Sequence, residues 1–272
     1  MQDPELRWNV DALRRRLAAR WPGISIEVVA STGSTNTDLL ERVRSGAPVA
    51  ACLRIAELQT AGRGRQGRSW HAERGASLTF SLGVPLDRSS LAGLSLAVGA
   101  VLADALDPTG SRVALKWPND LFLLDASAGA RKLGGVLIET VPLGRSCLVV
   151  IGIGLNVRRL STGEDGPAAT AALDEIDPGA TAPAVLENVA APLGTALRRF
   201  EQDGFPAFQR RFDARDLLVG RAVKTTQAGA AEGVAEGVDA DGCLQVRLAS
   251  GMRVGISSGE VSVRLDRTAS SC

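Results

Sequence analysis

The chain has 272 residues, of which 45% are hydrophobic and 22% are charged. This composition is typical of a globular protein with one large and one small domain, and it excludes a disordered chain or a membrane chain. The net charge of +1, from 31 Lys and Arg against 30 Asp and Glu, provides no overall field for nucleic acid or an anionic membrane, so any positive site must be local.

Cysteine usage and the N-terminus predict a cytoplasmic protein. The cysteines are widely spaced and form neither CxxC pairs nor a disulfide-dense pattern, at Cys52, Cys147, Cys243 and Cys272. The first residues, MQDPELRWNVD, lack the basic start and apolar stretch of a signal peptide. No segment approaches the roughly 20 apolar residues that span a bilayer.

The N-terminal part of the chain predicts a helix, a strand and a second helix. Val10–Leu17 has apolar residues at helical spacing after Asn9, a residue type that caps helices. Ile24–Val28 alternates as a strand does. The run Ser34–Asp38 then precedes a helix that ends at Gly46. A loop of hydroxyl and amide groups is therefore expected between strand and helix.

The central part of the chain predicts a sheet and further helices, an α+β pattern. Leu91–Leu106 predicts a buried helix, Ala126–Arg131 a hairpin loop, and Val185–Gln202 and Pro206–Arg215 two more helices. Ser161–Pro183 is rich in Gly, Ala, Pro and Thr and predicts a structureless lid or disordered segment. The predicted strands are Val49–Leu58, Ser77–Val84, Val113–Trp117, Leu121–Leu124, Leu133–Val141 and Leu148–Leu155.

The C-terminal part differs from the rest in its hydrophobic pattern. From Leu217 onward, short alternating strands predict a small β-barrel. The two predicted domains are therefore residues 1–215 and residues 216–272. Turn signals lie at Gly229, Gly233, Gly237, Asp241-Gly242 and Ser250-Gly251.

A loop rich in glycine and arginine lies between two predicted strands. Gly62–Gly67 matches the dinucleotide-binding pattern GxGxxG, but a strand rather than a helix follows it, which argues against that reading. Arg63, Arg65 and Arg68 carry guanidinium groups that favour phosphate and carboxylate oxygens. A solvated basic turn and an RNA-binding RGG segment are the alternatives, although the latter favours repeats with interleaved aromatic residues.

The segment Glu57–Trp70, ELQTAGRGRQGRSW, resembles the pattern of biotin protein ligases. The motifs KWPND at 116–120, KLGGVLIE at 132–139 and GIGLNV at 152–157 follow in the order that this family shows. The resemblance covers roughly residues 24 to 265. It implies a mixed-sheet catalytic domain similar to class II synthetases and a small C-terminal SH3-like β-barrel.

The resemblance implies an enzyme that activates biotin with ATP to biotinyl-5'-AMP in the presence of Mg²⁺. It then transfers biotin to a lysine of the biotin carboxyl carrier protein of acetyl-CoA carboxylase. The chain before Ser34 is too short for the winged-helix domain of some members, so we expect a short form that does not bind nucleic acid. Edge strands of the sheet are compatible with a homodimer.

The resemblance also assigns residues to roles. Arg65, Lys132 and Asp120 would be catalytic. The two cations are needed because charge builds on oxygens when a carboxylate attacks a phosphorus that is already anionic, and Asp120 could orient the incoming lysine amine. Asp120 is the candidate metal ligand. Biotin would contact Ser34, Thr35, Asn36, Gln59, Arg63, Gly64, Arg65, Lys132 and Gly135. ATP would contact Arg63, Arg65, Arg68, Trp70, Lys116, Asn119 and Asn156.

Ordinary structural roles remain open for several of these residues. Ser34 and Thr35 are common helix caps, and Asn119 follows Pro118 in what reads as a turn. A lipoate or octanoate ligase or transferase is the alternative enzyme, because its catalytic fold looks related and also uses a lysine. A biotin-sensing regulator or a binding module is the non-enzymatic alternative.

Overall fold

The computed structural model describes residues 6–87, 90–126, 129–144, 146–160, 170–225 and 232–257. A large mixed sheet with helices on both faces precedes a small antiparallel sheet, which confirms the predicted α+β class. The helices are α1 (Val10–Ala18), α2 (Thr35–Arg44), α3 (Leu94–Leu106), α4 (Ala182–Asp203) and α5 (Gln209–Asp213). The strands are β1 (Ser25–Val29), β2 (Cys52–Ala56), β3 (Gly62–Arg63), β4 (Ser69–Trp70), β5 (Ser77–Leu86), β6 (Val113–Lys116), β7 (Asp120–Asp125), β8 (Gly129–Leu143), β9 (Ser146–Asn156), β10 (Ala222–Lys224), β11 (Glu232–Val238), β12 (Leu244–Arg247) and β13 (Arg253–Ile256).

The large sheet has seven strands in the order β1-β2-β5-β9-β8-β7-β6. The strands β1 and β2 are parallel because α2 carries the chain back between them, and the other neighbours are antiparallel. The long strands β5, β9 and β8 form the centre of the sheet. Their side chains decide what each face can bury.

Alternation along β5 separates an apolar face from a polar one. Leu78, Phe80 and Leu82 belong to the main core, on the face that α3 and α4 cover. Thr79 and Ser81 lie on the opposite face and are also buried. That face is covered at one end by α2, and small or polar side chains leave open space beyond the helix. The space becomes the cavity described below.

Residues 129–131 were predicted as part of a hairpin loop, and this prediction is wrong. Gly129 pairs with Asp125, and Arg131 pairs with Leu123, so both strands continue further toward the turn than expected. The polar and small residues there lack the apolar alternation by which a strand is recognised, and main-chain pairing extends the strands without it.

The predicted structureless segment Ser161–Pro183 is also wrong where the structure describes it. Residues 161–169 lie outside the described residues, but Ala171 and Leu173 are buried and α4 begins at Ala182. Arg131 donates to the carbonyl of Thr170 at 3.1 Å. Small apolar side chains and tertiary hydrogen bonds therefore order a segment that has no periodic pattern.

The predicted helix Pro206–Arg215 is divided in two. A 3-10 turn spans Phe205–Ala207, and Phe208, with φ −115°, separates it from the short α5. Phe205, Phe208 and Phe212 are all buried, so packing of large rings decides the path here. Among the described residues, no helix is both long and apolar enough to cross a membrane.

The strands β10 to β13 form an antiparallel sheet in sequence order, and this sheet follows the large sheet and its helices in the chain. The turn between β11 and β12 packs against the start of α3, where a Cβ on Gly242 would lie 2.8 Å from Gly93 Cα. The buried indole of Trp117 donates to the Gly242 carbonyl at 2.8 Å. The C-terminal sheet is thereby attached directly to the segment that carries the KWPND motif.

Candidate active site

A cavity of about 270 Å³ lies between the polar face of the large sheet, the start of α2 and the glycine and arginine loop, residues 62–70. All but one of the residues predicted to bind substrates line it. These are Ser34, Thr35, Asn36, Gln59, Arg63, Gly64, Arg65, Arg68, Trp70, Lys116, Asn119, Asp120, Lys132 and Gly135. Segments far apart in the chain therefore meet at one place.

One end of the cavity has a floor of buried, uncharged polar groups. Thr35 N donates to Gln59 Oε1 at 2.8 Å, which fixes the orientation of the Gln59 amide. Ser81 Oγ lies 2.7 Å from Thr35 Oγ1 and 2.5 Å from Asn36 Oδ1. The Asn36 amide nitrogen donates to Glu139 Oε2 at 2.9 Å. The side chains of Thr35, Asn36, Gln59 and Ser81 form a continuous hydrogen-bonded network, which we call the polar floor, and Glu139 accepts from its edge.

The hydrogen atoms of the polar floor can be assigned by counting donors. Asn36 Oδ1 only accepts, so the Ser81 hydroxyl must donate to it. The single proton of the Thr35 hydroxyl has two acceptors within reach, Ser81 Oγ at 2.7 Å and Gln59 Oε1 at 3.0 Å. The hydroxyl protons donate within this hydrogen-bonded network, whereas the hydroxyl and amide oxygens keep lone pairs that can accept from a ligand. The floor is therefore rich in acceptors. The Gln59 amide nitrogen makes no hydrogen bond within the network.

The glycine and arginine loop is a small hairpin rather than an open loop. The strands β3 and β4 pair through Gly62 with Trp70 and through Arg63 with Ser69, and Gly64 N donates to Arg68 O at 2.7 Å. A Cβ on Gly62 would lie 2.5 Å from the Trp70 carbonyl oxygen. Glycine is therefore required for the close approach of the two strands.

The other end of the cavity carries most of the positive charge. Lys132 Nζ lies 2.7 Å from Asp120 Oδ1, and Asp120 is the one acidic side chain among the described residues that line the cavity. Burial lowers the pKa of Lys116, and burial likewise lowers the pKa of Arg65. Cations with incomplete hydration and one counter-ion favour an anionic ligand. This end is called the cationic end.

Arg63 does not lie at the cationic end. Its Nη2 pairs with Glu139 Oε1 at 2.9 Å, and its Nη1 donates to Thr37 Oγ1 at 3.3 Å. Both partners belong to the side of the cavity that holds Asn36. The predicted contact of the Arg63 guanidinium with phosphate is therefore not prepared in this structure, although the residue lines the cavity.

Two glycines of β9 let side chains approach the sheet. A Cβ on Gly154 would lie 2.5 Å from the Trp70 ring, so the indole rests directly on the strand. A Cβ on Gly152 would overlap the Asn36 side chain. The buried Trp70 Nε1 has no hydrogen-bond partner among the described groups, which leaves a donor next to the cavity. Lys132 Nζ lies 6.0 Å from the centroid of the same ring.

Asn156 is the predicted residue that the structure places elsewhere. It is 3% exposed and is absent from the cavity lining. Its amide donates to the carbonyl of Ala171 at 3.0 Å, and its Nδ2 lies 3.5 Å from the Lys132 carbonyl oxygen. In this structure Asn156 therefore joins the backbone of residues 132 and 171.

The chain matches two protein-family models. A family model described as the biotin/lipoate A/B protein ligase family matches residues 28–156, and one described as the biotin protein ligase C terminal domain matches residues 218–264. A biotin–acetyl-CoA-carboxylase ligase of Mycobacterium tuberculosis is 36% identical over 258 residues, covering 87% of this chain and 88% of that protein. The chain belongs to the biotin protein ligase family.

Other members support this assignment. The bifunctional ligase/repressor BirA of Escherichia coli is 34% identical over 261 residues, covering 92% of this chain and 77% of that protein. A biotin protein ligase structure from Aquifex aeolicus, in complex with biotin and ATP, superposes with a TM-score of 0.73 at 28% identity, covering 89% of this chain and 99% of that one. The likeness confirms the predicted catalytic fold and the SH3-like C-terminal domain.

Four residues that shape the site in this biotin protein ligase fold were given no role from the sequence. Ser81 belongs to the polar floor, Glu139 accepts from Asn36 at its edge, and Gly152 and Gly154 make room for Asn36 and Trp70. Ser81 carried a signal that was available, because it occupies a polar position within an apolar strand. The contact between Glu139 and Asn36 joins residues 103 positions apart, so no local pattern predicts it.

Proposed function

We propose that this protein activates biotin with ATP to biotinyl-5'-AMP and transfers the biotinyl group to a lysine of the biotin carboxyl carrier protein of acetyl-CoA carboxylase. The observation that carries the proposal is the division of one cavity into an uncharged polar floor and a cationic end. A ligand that has a neutral hydrogen-bonding ring at one end and a carboxylate at the other matches this division. Biotin is such a ligand.

The polar floor is complementary to the ureido ring of biotin. The ring offers two N–H donors and one carbonyl acceptor, and the floor offers oxygen acceptors together with the Gln59 amide nitrogen. A dithiolane or an alkyl chain in the same place leaves these buried groups without partners. Sites built to bind polar groups reject analogues that lack them by large factors, up to roughly 10⁴ to 10⁵.

The cationic end is suited to both half-reactions. In the first, a biotin carboxylate oxygen bonds to the α-phosphorus of ATP while the bond to pyrophosphate breaks. Lys132, Lys116 and Arg65 are placed to stabilise the oxygens on which charge accumulates. In the second, a lysine amine attacks the acyl carbon, loses a proton and releases AMP. Asp120 is the carboxylate at hand for that proton or for orienting the amine.

The residues present fit Mg²⁺ that binds together with the nucleotide, with most of its ligands supplied by phosphate oxygens and water rather than by protein side chains. Among the described residues, no group of three or more His, Cys, Asp or Glu side chains is placed to hold a metal ion. Mg²⁺ in nucleotide sites commonly uses one or two carboxylates together with phosphate oxygens and water. Asp120 would supply the carboxylate, and the metal would neutralise phosphate charge.

Lipoate or octanoate transfer is the second candidate, because one matching family model covers biotin and lipoate proteins alike. The deciding experiment measures pyrophosphate release from ATP with biotin, lipoate or octanoate as the added acid, and detects the adenylate by mass spectrometry. We expect release with biotin alone. Release with lipoate or octanoate alone would move the protein to the sister activity, and no release with any acid would favour the biotin-sensing or binding-module reading.

The acceptor and the setting of the protein are part of the same proposal. The proposed acceptor agrees with the name of the Mycobacterium tuberculosis relative, a biotin–acetyl-CoA-carboxylase ligase. A cytoplasmic location agrees with the free thiols of Cys52, Cys147 and Cys243. A homodimer remains a prediction, supported by the half of β8 after Gly135, which pairs with β9 alone among the described strands. Independence from nucleic acid remains a prediction that agrees with the net charge of +1.

A further inference from the structure

The carboxylate of Glu139 connects two parts of the cavity. Its Oε2 accepts from the Asn36 amide at 2.9 Å, and its Oε1 pairs with Arg63 Nη2 at 2.9 Å. Asn36 belongs to the polar floor, whereas Arg63 belongs to the glycine and arginine loop. Each oxygen has a different partner, so one side chain bridges the floor and the loop above it.

We infer that Glu139 is a positioning residue that couples the closure of the glycine and arginine loop to the orientation of the polar floor. The inference rests on the proposed biotin-activating function. Glu139 itself need not touch the substrate. It acts through Asn36 on recognition of the ring and through Arg63 on retention of the activated product.

The first half of this role follows from hydrogen-bond polarity. An ionised carboxylate only accepts, so it forces the Asn36 amide nitrogen toward itself and the Asn36 oxygen toward Ser81. With Glu139 absent, only the long contact of 3.4 Å from Asn36 Nδ2 to the Leu137 carbonyl opposes a turn of the amide that would present a donor to Ser81. The floor would then lose the acceptor character that suits ureido N–H groups.

The second half follows from where the Arg63 side chain goes. The backbone of Arg63 forms β3, and its guanidinium reaches across to Glu139 and to Thr37 Oγ1. The Arg63 side chain therefore holds the hairpin over the polar floor. The Arg63 side chain is 50% exposed, and exposed ion pairs are weak. The closure is consequently reversible, which substrate entry and product release both require.

Strand geometry places Glu139 correctly for this role. On β8, Leu137 pairs with Gly152 and Glu139 pairs with Val150. Residues two apart on a strand share a face, so Glu139 lies on the face that carries Gly152 and Asn36. The pairing of β8 with β9 therefore fixes the face of the sheet on which the glutamate lies.

Two substitutions separate the two halves of the role. Glu139→Gln keeps one oxygen to accept from Asn36 and removes the negative charge that holds Arg63. Glu139→Ala removes both contacts. Arg63→Met removes the contact between the loop and Glu139 and leaves the contact between Glu139 and Asn36. Glu187→Gln is the matched control. The Glu187 carboxylate, on α4, pairs with Arg16 of α1 at 3.7 Å, and neither residue lines the cavity.

The measurements are the KM for biotin, the rate of adenylate formation, and the rate at which bound biotinyl-5'-AMP is released, in variants shown by thermal melting to be folded. We expect Glu139→Gln and Arg63→Met to release the adenylate roughly threefold to fivefold faster with a nearly unchanged KM for biotin. Glu139→Ala should add a rise of roughly tenfold or more in that KM. Glu187→Gln should match the unaltered protein.

The outcomes distinguish this inference from the proposed function. If the unaltered protein forms no adenylate from biotin and ATP, the proposed function fails and the role of Glu139 fails with it. If the unaltered protein forms adenylate and Glu139→Ala has the same KM and release rate, only the positioning role is overturned. Equal rises in KM for Glu139→Gln and Glu139→Ala would refute the separation into floor and loop.

Discussion

Lys132 Nζ and Asp120 Oδ1 lie 2.7 Å apart on the neighbouring strands β8 and β7. The pair is part-exposed to the cavity, and a Cβ on Gly135 would lie 3.1 Å from the same Asp120 oxygen. Asp120 thus holds the ammonium in place while the cavity is free of anions. A bound carboxylate or phosphate offers competing oxygens, so the lysine is prepared for the substrate without a large rearrangement.

Replacing Lys132 with Ala should slow adenylate formation by roughly two to three orders of magnitude, because a preorganised cation at developing charge has about this effect. Single-turnover pyrophosphate release measures it. Lys224→Ala is the control, since Lys224 pairs with Glu232 on the exposed surface of the C-terminal sheet. Unchanged turnover in Lys132→Ala would refute the catalytic role.

Replacing Arg65 with Ala should leave the fold intact and either slow adenylate formation or release the adenylate prematurely. Burial lowers the pKa of Arg65, and the charge of Asp120 opposes this effect, so the side chain already faces the cationic end. Transfer of biotin to an acceptor domain, followed by mass spectrometry, reports the loss. A normal rate of biotinylation would argue against the role.

Replacing Ser81 with Ala should raise the KM for biotin by roughly tenfold, with a smaller effect on the KM for ATP, because the hydroxyl links Thr35 to Asn36 beneath the ring site. Steady-state kinetics with each substrate varied in turn makes the comparison. Ser95→Ala is a matched control, since Ser95 Oγ donates to the Pro118 carbonyl outside the polar floor. Equal effects of the two changes would remove the argument for the floor.

Replacing Gly154 with Ala should impair adenylate formation without unfolding the protein. The added Cβ would lie 2.5 Å from the Trp70 ring, so the indole and the hairpin that carries it must move. Trp70 fluorescence and pyrophosphate release test the two consequences. Gly144→Ala is the control, because an added Cβ there would meet no atom within 4 Å. Its effect is limited to the strain of the positive φ of 71°, so the variant should retain activity.

Replacing Asp216 with Asn should stabilise the protein at high pH. Burial raises the pKa of Asp216 from 3.8 to about 6, and its buried Oδ2 has no hydrogen-bond partner among the described groups. Because the folded state binds the proton more tightly, the stability of the native protein falls as the pH rises from 3.8 to about 6, by up to about 3 kcal/mol.

Thermal melting across pH values checks this sign. Asp216→Asn should melt several degrees higher than the native chain at pH 8 and nearly equally at pH 4, where Asp216 is mostly protonated in the folded state. In the native chain Leu218 N donates to Asp216 Oδ1 at 2.8 Å. The amide oxygen of the asparagine can accept the same hydrogen bond. A difference that is independent of pH would show that the charge of Asp216 is not the cause.

The sequence by itself determined the strands of the large sheet and the positions of the motifs in the chain. Alternation and helical spacing located the strands of the large sheet, and the cap at Ser34 set the start of α2. These are local signals, because the backbone period and the capping groups involve residues only a few positions apart. The motif residues were predicted for the same reason, since each motif is a short continuous segment.

Only the tertiary structure decided how the motifs combine. It separated Arg63 from the cationic end, placed Asn156 behind Lys132, and brought Glu139 to Asn36. It also ordered residues 170–183 through contacts that their composition does not predict. These relationships depend on strand register and on which side chains a glycine admits. Both are set by packing between distant segments, so no pattern within one segment contains them.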